Sequence, residues 1–270
     1  MSDVVRYEVA DRVATITLNR PDARNALSTE VLRELPRLAR QADGDDGVDV
    51  VILTGADPAF CAGLDLKELG STGGNLRSGA GAVGEDRADL GTVEGRPGPW
   101  PSIGKPVIGA VNGVAVTGGF ELALACDFLV ASERARFADT HARIGVQPGW
   151  GLTVLLPQAV GVRRARELST TGNFLDAATA LSWGLVNHVV AHDELLGFCR
   201  QLAADIVSND QAGVRRVLRT YAENEFAFRG DGWRNEAKVA GAWLDAGGAS
   251  PAEVEARRQA VMERGRSQTT

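Results

Sequence analysis

Long apolar runs are missing from this chain. No stretch approaches the roughly 20 consecutive apolar residues that a bilayer-spanning helix needs, so no membrane partner is expected. Cysteine is scarce as well. Cys61, Cys126 and Cys199 are odd in number, far apart and without a CxxC, which argues against a disulfide scaffold and for a reducing compartment. Basic charge is in deficit, with 29 Lys and Arg against 35 Asp and Glu and a formal net charge of −6. That balance disfavours a nucleic-acid partner or an anionic lipid surface, while leaving room for a local basic patch facing a phosphate. The opening MSDVVRYEVADRV lacks the basic-then-apolar order of a secretory signal, and a cytoplasmic location is expected. No GxSxG occurs, so serine-nucleophile chemistry of that kind finds no support. Only three histidines are present. His188 and His192 have the four-residue spacing of helical zinc ligands, but no HExxH glutamate lies between them and NHVV reads as extended; no metal site is expected.

What is present reads as a globular protein. Apolar residues make up 44% and charged residues 24% of 270 positions, enough for one large domain or one domain with a helical appendage. RYEVA and VATITL form a hairpin about Asp11-Arg12. A turn at RPDARNA leads to a helix from Ser28, whose apolar positions recur at helical spacing despite an interior Pro36. VDVVILTG, PVIGAV and FLVA are short continuous apolar runs, the signature of strands buried on both faces. Residues 70–99 hold nine glycines and little apolar periodicity, which suggests a surface segment. Their formal GxGxxG at 79–84 follows no strand, and a dinucleotide site is not expected there. Beyond residue 151 helices are expected at 152–160, 163–170 and 176–183, with Gly172 and Gly184 as stops, then at 193–208, 210–224 and 231–246. SPAE at 250–253 has the form of a capping box opening a final helix. Strands alternating with helices, followed by a helical last third, give an α/β core with a helical extension.

Two local patterns carry chemistry. In VNGVAVTGGFELALACD, Thr117-Gly118-Gly119 follows a buried strand and opens an apolar helix. Backbone N–H groups there have no intrahelical partner and face any oxyanion placed above them, with the helix dipole in support. Glu121 stands in the first turn, either as a dipole partner or as a working carboxylate. In ADPAFCAGLDLKEL, a strand ends at Thr54-Gly55 and the chain passes through Phe-Cys-Ala-Gly into a short helix, giving a second place for an exposed N–H. A third stretch, FADTHARIG, presents Asp139, His141 and Arg143 on one face if the backbone is extended.

Together these segments resemble the enoyl-CoA hydratase/isomerase (crotonase) family. The resemblance runs from RPDARNALS through FCAGLDLKEL, KPVIGAVNGVAVTGGFELALACD and FADTHARIGVQPGWG to LSWGLVNHVV, in the family's order. It implies a crotonase-type spiral of ββα units with a helical C-terminal region. Residues 1–195 would form the core that binds and transforms an acyl-CoA, and residues 196–270 a helical region serving assembly into a homotrimer or dimer of trimers. It also implies an acyl-CoA thioester substrate with its carbonyl oxygen held by the N–H groups of Leu64 and Gly118. Ala62, Leu64, Asp65, Leu66 and Lys67 would line the CoA site. Asp22, Ala23 and Arg24 fall where the family's backbone passes the pantetheine and phosphates, and the Arg24 guanidinium could pair with a phosphate. No separate cofactor is implied, since coenzyme A is part of the substrate.

Glu121 matches the first of the hydratase's two catalytic glutamates. The second position, four residues after Phe137, is His141. Three readings follow. His141 replaces the missing carboxylate as the proton-transfer group, with Asp139 orienting it and Glu121 acting on water, so that a 2-enoyl-CoA is hydrated. Alternatively, the same oxyanion site serves isomerisation, thioester hydrolysis or decarboxylation. In the third reading His141 is structural and the protein binds CoA esters with little turnover. Trp150, in PGWG, either shapes the acyl pocket or belongs to the core.

Overall fold

The computed structural model describes residues 3–71, 74–75, 98–247 and 250–268. The glycine-rich segment lies mostly outside these residues, and its GxGxxG entirely so. The chain opens with β1 (Val5–Ala10) and β2 (Val13–Leu18), an antiparallel hairpin turning at Asp11 and Arg12. Both turn residues have positive φ, 50° and 64°, the backbone that suits the right-handed twist of a tight hairpin. Helix α1 (Thr29–Gly44) follows, its first turn capped by Ser28 Oγ, which accepts from Val31 N. Pro36 lies inside it, and the helix runs on because its buried stripe from Val31 to Ala42 packs on the sheet.

Three successive units then repeat one pattern of strand, strand, helix. The first is β3 (Val50–Gly55), β4 (Ala59–Cys61) and α2 (Leu66–Ser71). The second is β5 (Val107–Val111), β6 (Val114–Val116) and α3 (Gly118–Leu124). The third is β7 (Phe128–Ser132), β8 (Arg136–Ala138) and the short α4 (His141–Ile144). First strands join one sheet in the order β1-β2-β3-β5-β7-β10, with β10 at His188–Val190, and second strands join another in the order β4-β6-β8-β9, with β9 at Leu175–Asp176. Pairing between repeats is parallel in both sheets. Each turn of the spiral thus adds one strand to each sheet and one helix beside them.

The larger sheet divides the core. Along β3, Val51 and Leu53 point into a cluster shared with α1 and the second sheet, while Val50 and Ile52 point to the opposite cluster. That second cluster is closed by Leu195, Cys199 and Ala203 of α8 (Leu195–Val207), one residue per turn on a single face. Between the sheets and α8 run α5 (Leu152–Val160), α6 (Val162–Thr171), β9 (Leu175–Asp176), α7 (Ala177–Trp183) and β10 (His188–Val190). Gly172 and Gly184 end α6 and α7 in the left-handed conformation, as their sequence positions predict.

The C-terminal helices differ from the expected pattern in two ways. Residues 211–245 form one 35-residue helix, α9 (Gln211–Asp245), instead of two. Gly230, a natural break point, lies buried within it, with the Phe226 ring 3.2 Å from the place where a Cβ would stand. The last helix, α10 (Pro251–Ser267), starts with proline at its first position, but Ser250 makes no backbone cap. Its hydroxyl donates to Glu253 Oε2 at 3.0 Å instead.

Candidate active site

The second repeat sets the centre of the site. β6 ends at Val116 and α3 starts at Gly118, leaving Thr117 to make the turn with φ 53° and ψ −114°. A β-branched residue with positive φ is strained. Thr117 is held there by its amide on Ala138 O, at 2.9 Å, and by its hydroxyl against that of Thr140. Gly119 has to be glycine: a Cβ would lie 2.1 Å from Cys61 O. Such close approach lets α3 start directly against β4, and it turns the partnerless first amides of the helix toward residue 64.

Leu64 reaches this point through a short parallel bridge to Leu27. Leu27 N donates to Gly63 O at 2.8 Å, and Asp65 N donates to Leu27 O at 3.1 Å. In such a bridge the N–H of the middle residue, Leu64, points away from Leu27. Leu64 stands close to Gly118, where an added Cβ would sit 3.9 Å from Leu64 N. No described residue accepts from either amide. Two backbone amides without an acceptor among the described residues thus stand near each other at the head of α3.

The segments expected at the CoA lie side by side. Ala62 N donates to Arg24 O at 3.0 Å, which seats the turn of Asp22, Ala23 and Arg24 beside residues 62–67. Arg24 and Lys67 are exposed. Asp65 has internal work: it accepts from the amides of Lys67 and Glu68 at the start of α2 and pairs with Arg20 at 2.9 Å. Its carboxylate organises the turn, leaving Arg24 and Lys67 as exposed cations beside the exposed Asp22.

The FADTHARIG stretch is not extended through His141. β8 ends at Ala138, the chain bends, and His141 opens α4. Because of that bend Asp139 and His141 touch, which two residues of one strand do not. Asp139 Oδ1 accepts from His141 N at 3.1 Å and meets its Nδ1 at 2.6 Å. Arg143 faces elsewhere, toward Thr171 O at 3.2 Å and Asn173 at 3.3 Å. His141 Nε2 lies 3.5 Å from Glu121 Oε2. All three groups of the Asp139–His141–Glu121 array are buried. Burial by itself lowers the imidazole pKa, but the hydrogen bond to Asp139 and then the Glu121 carboxylate outweigh it and push the value up to about 10. The histidine is an imidazolium at neutral pH. Asp139 is held below its ordinary range because the imidazolium overcomes the cost of its burial.

Glu121 Oε1 has its own partners, the amides of Trp150 at 2.9 Å and Gly149 at 3.3 Å. The Trp150 ring is a core side chain, 6% exposed, that packs over Gly118 and forms one wall of a cavity of about 480 Å³ behind the end of α3. Next in the chain, Gly151 and Thr153 donate to a second buried carboxylate, Glu236 of α9. Burial and the nearby Glu121 charge raise its pKa. Sequence reasoning passed Glu236 by. Its signal was an acid three residues after Trp233 and four before Ala240, on the inward face of an amphipathic helix. His192 bonds Ser132 and Asp57, each at 3.0 Å, and the His188 ring packs tilted against that of Phe198. Among the described residues no group of three or more His, Cys, Asp and Glu is placed to hold a metal, and no helix is long and apolar enough to cross a membrane.

The spiral of ββα repeats and the order of its motifs match one family in particular. Residues 8–226 fit the family model described as enoyl-CoA hydratase/isomerase. The "probable enoyl-CoA hydratase 1, peroxisomal" of Arabidopsis thaliana is 42% identical over 76% of this chain and 73% of its own. The short-chain-enoyl-CoA hydratase of Clostridium acetobutylicum is 36% identical over 78% of each. A crystal structure of an enoyl-CoA hydratase from Mycobacterium avium superposes with a TM-score of 0.79 at 49% identity, covering 90% of this chain and 98% of that one. The chain belongs to the enoyl-CoA hydratase/isomerase family and has the crotonase fold.

Proposed function

We propose that the protein is an enoyl-CoA hydratase in which His141 does the work of the second glutamate. The observation that carries this reading is the 3.5 Å contact of His141 Nε2 with Glu121 Oε2, at the head of the helix that also carries Gly118. The thioester oxygen of a 2-enoyl-CoA accepts from the N–H groups of Leu64 and Gly118, where each donor contributes about 2.7–4 kcal/mol to an oxyanionic transition state. Glu121 takes a proton from water as the hydroxide adds to Cβ. The His141 imidazolium gives its Nε2 proton to Cα as the enolate collapses. The proton on Glu121 then crosses to His141, which restores both groups. One water has been added and no charge remains.

Asp139 keeps the imidazole oriented and charged, so His141 serves as an acid. Arg24 and Lys67 meet the CoA phosphates, with Asp22, Ala23, Ala62, Asp65 and Leu66 shaping the path between them. No cofactor beyond the CoA of the substrate takes part. The reading includes a homotrimer or dimer of trimers. In support, Val217, Tyr221, Phe228, Val239 and Trp243 are exposed along α9 and fall within about 80° of arc at helical pitch. It also includes a cytoplasmic location, supported by three unpaired cysteines.

The test is a short 2-enoyl-CoA in ¹⁸O-labelled water. Loss of the conjugated absorbance and one labelled oxygen in the product are expected, and Glu121→Gln should abolish both. Release of free CoA, or movement of the double bond without oxygen uptake, would instead assign thioester hydrolysis or isomerisation to the same oxyanion site.

A further inference from the structure

Residues 149–153 lie between two buried carboxylates that come from distant parts of the chain. Gly149 N and Trp150 N donate to Glu121 Oε1. Gly151 N donates to Glu236 Oε1, while Thr153 N, at 2.7 Å, and the Thr153 hydroxyl donate to Glu236 Oε2. Among the described residues no Lys, Arg or His forms an ion pair with Glu236, which is only 6% exposed. An uncompensated buried carboxylate is expensive, and here every hydrogen bond it accepts comes from this one segment.

Helix α9 meets the segment with three residues of one face. The Trp233 ring occupies the space over Gly151, where a Cβ would lie 2.0 Å from it. Glu236 follows one turn later. Ala240, another turn on, packs against Gly149, with 3.8 Å between its Cβ and the place of the missing one. Residues 149, 151 and 153 are thus all in contact with α9.

We propose that Glu236 is a positioning residue for Glu121. It holds the amides of residues 151 and 153 so that those of residues 149 and 150 fix Glu121 Oε1, which leaves Oε2 to face His141 and the substrate. This rests on Glu121 being the group that acts at the substrate. A different role is a plain cap for α5, whose first amides Glu236 also satisfies. A cap affects stability alone, whereas a positioning residue also moves Glu121.

Glu236→Gln separates the two. A glutamine keeps the shape but turns its NH2 toward one of the donors. The measurements are kcat and KM for a short 2-enoyl-CoA, thermal unfolding, and the backbone amide signal of Trp150 in ¹⁵N-tryptophan-labelled protein. Positioning predicts a kcat lower by about a hundredfold with KM nearly unchanged. It also predicts a Trp150 signal displaced as in Glu121→Gln, and partial recovery of kcat in Glu236→Asp. A lower melting temperature with the wild-type Trp150 signal and kcat would overturn the proposal in favour of the cap. If Glu236→Gln does not fold, Thr153→Val removes one donor only and should shift the Trp150 signal in the same direction; an unmoved signal overturns it. A wild-type protein inactive on every acyl-CoA, with the Trp150 signal still moved by Glu236→Gln, sinks the hydratase reading and leaves the positioning intact.

Discussion

Glu121 and His141 meet at 3.5 Å through the only atoms of their ionisable groups that are not already tied elsewhere among the described residues. Glu121 Oε1 is held by two amides and His141 Nδ1 by Asp139, so Oε2 and Nε2 are left facing each other. In that arrangement a proton can pass between the two groups without either side chain moving far.

His141→Ala should retain the fold and lose activity. General acid catalysis is worth about 10²–10⁴-fold, so kcat for hydration should fall by that range while CoA-ester affinity, read by calorimetry, stays close to wild type. A fully active His141→Ala enzyme would remove this histidine from the chemistry.

Stability should depend on pH through the same residue. An unfolded histidine loses its proton near 6.5, whereas the folded one keeps it to about 10. The array therefore stabilises the fold fully below about pH 6.5, and that contribution disappears as pH rises toward 10. Urea unfolding of wild type and His141→Gln across this interval should show the difference between them shrinking. The alkaline limb of kcat should fall in the same region. His141→Glu would place an acid beside Asp139 and Glu121 with no cation among them, and should be less stable at neutral pH than at pH 5.

Neighbouring glycines should fail in different ways. Gly119→Ala drives a Cβ to 2.1 Å from Cys61 O, which is backbone that cannot yield. It should destabilise the protein by about 3 kcal/mol or more, measured by denaturant unfolding. At Gly118 the nearest atoms are side chains, Leu27 at 3.3 Å and Trp150 at 3.5 Å, with Leu64 N at 3.9 Å. Gly118→Ala should fold and lose kcat, since its methyl intrudes between the two amides.

Far from the site, Lys105 provides a control. It is 2% exposed, and its ammonium donates to Ala42 O and Asp45 O at the end of α1, both at 2.7 Å. Lys105→Met strands both carbonyls and should cost about 2–5 kcal/mol. The kcat of the folded fraction should be unchanged.

Much of this was legible in the residues. The continuous apolar run VVILTG and its counterparts announced strands buried on both faces, and Thr117-Gly118-Gly119 after such a strand announced a helix start with open amides. Other features were not legible. The 224–231 break expected in α9 is absent because burial of Trp233 and Glu236 against the 149–153 segment outweighs the local preference of its glycines. Asp139 and His141 meet through a bend that alternation along a strand does not foresee.

By itself the sequence determined the strand and helix alphabet, the family, and the presence of one glutamate with a histidine where its partner is expected. These are properties of local pattern: burial periodicity, glycine at close approaches and motif order. Tertiary structure alone decided that His141 is an imidazolium clamped between two carboxylates, that Leu64 and Gly118 stand side by side, and that Glu236 reaches the loop behind Glu121. A charge state and a hydrogen-bond direction depend on which groups lie within a few ångströms, and residues distant in the chain come that close only in the folded spiral.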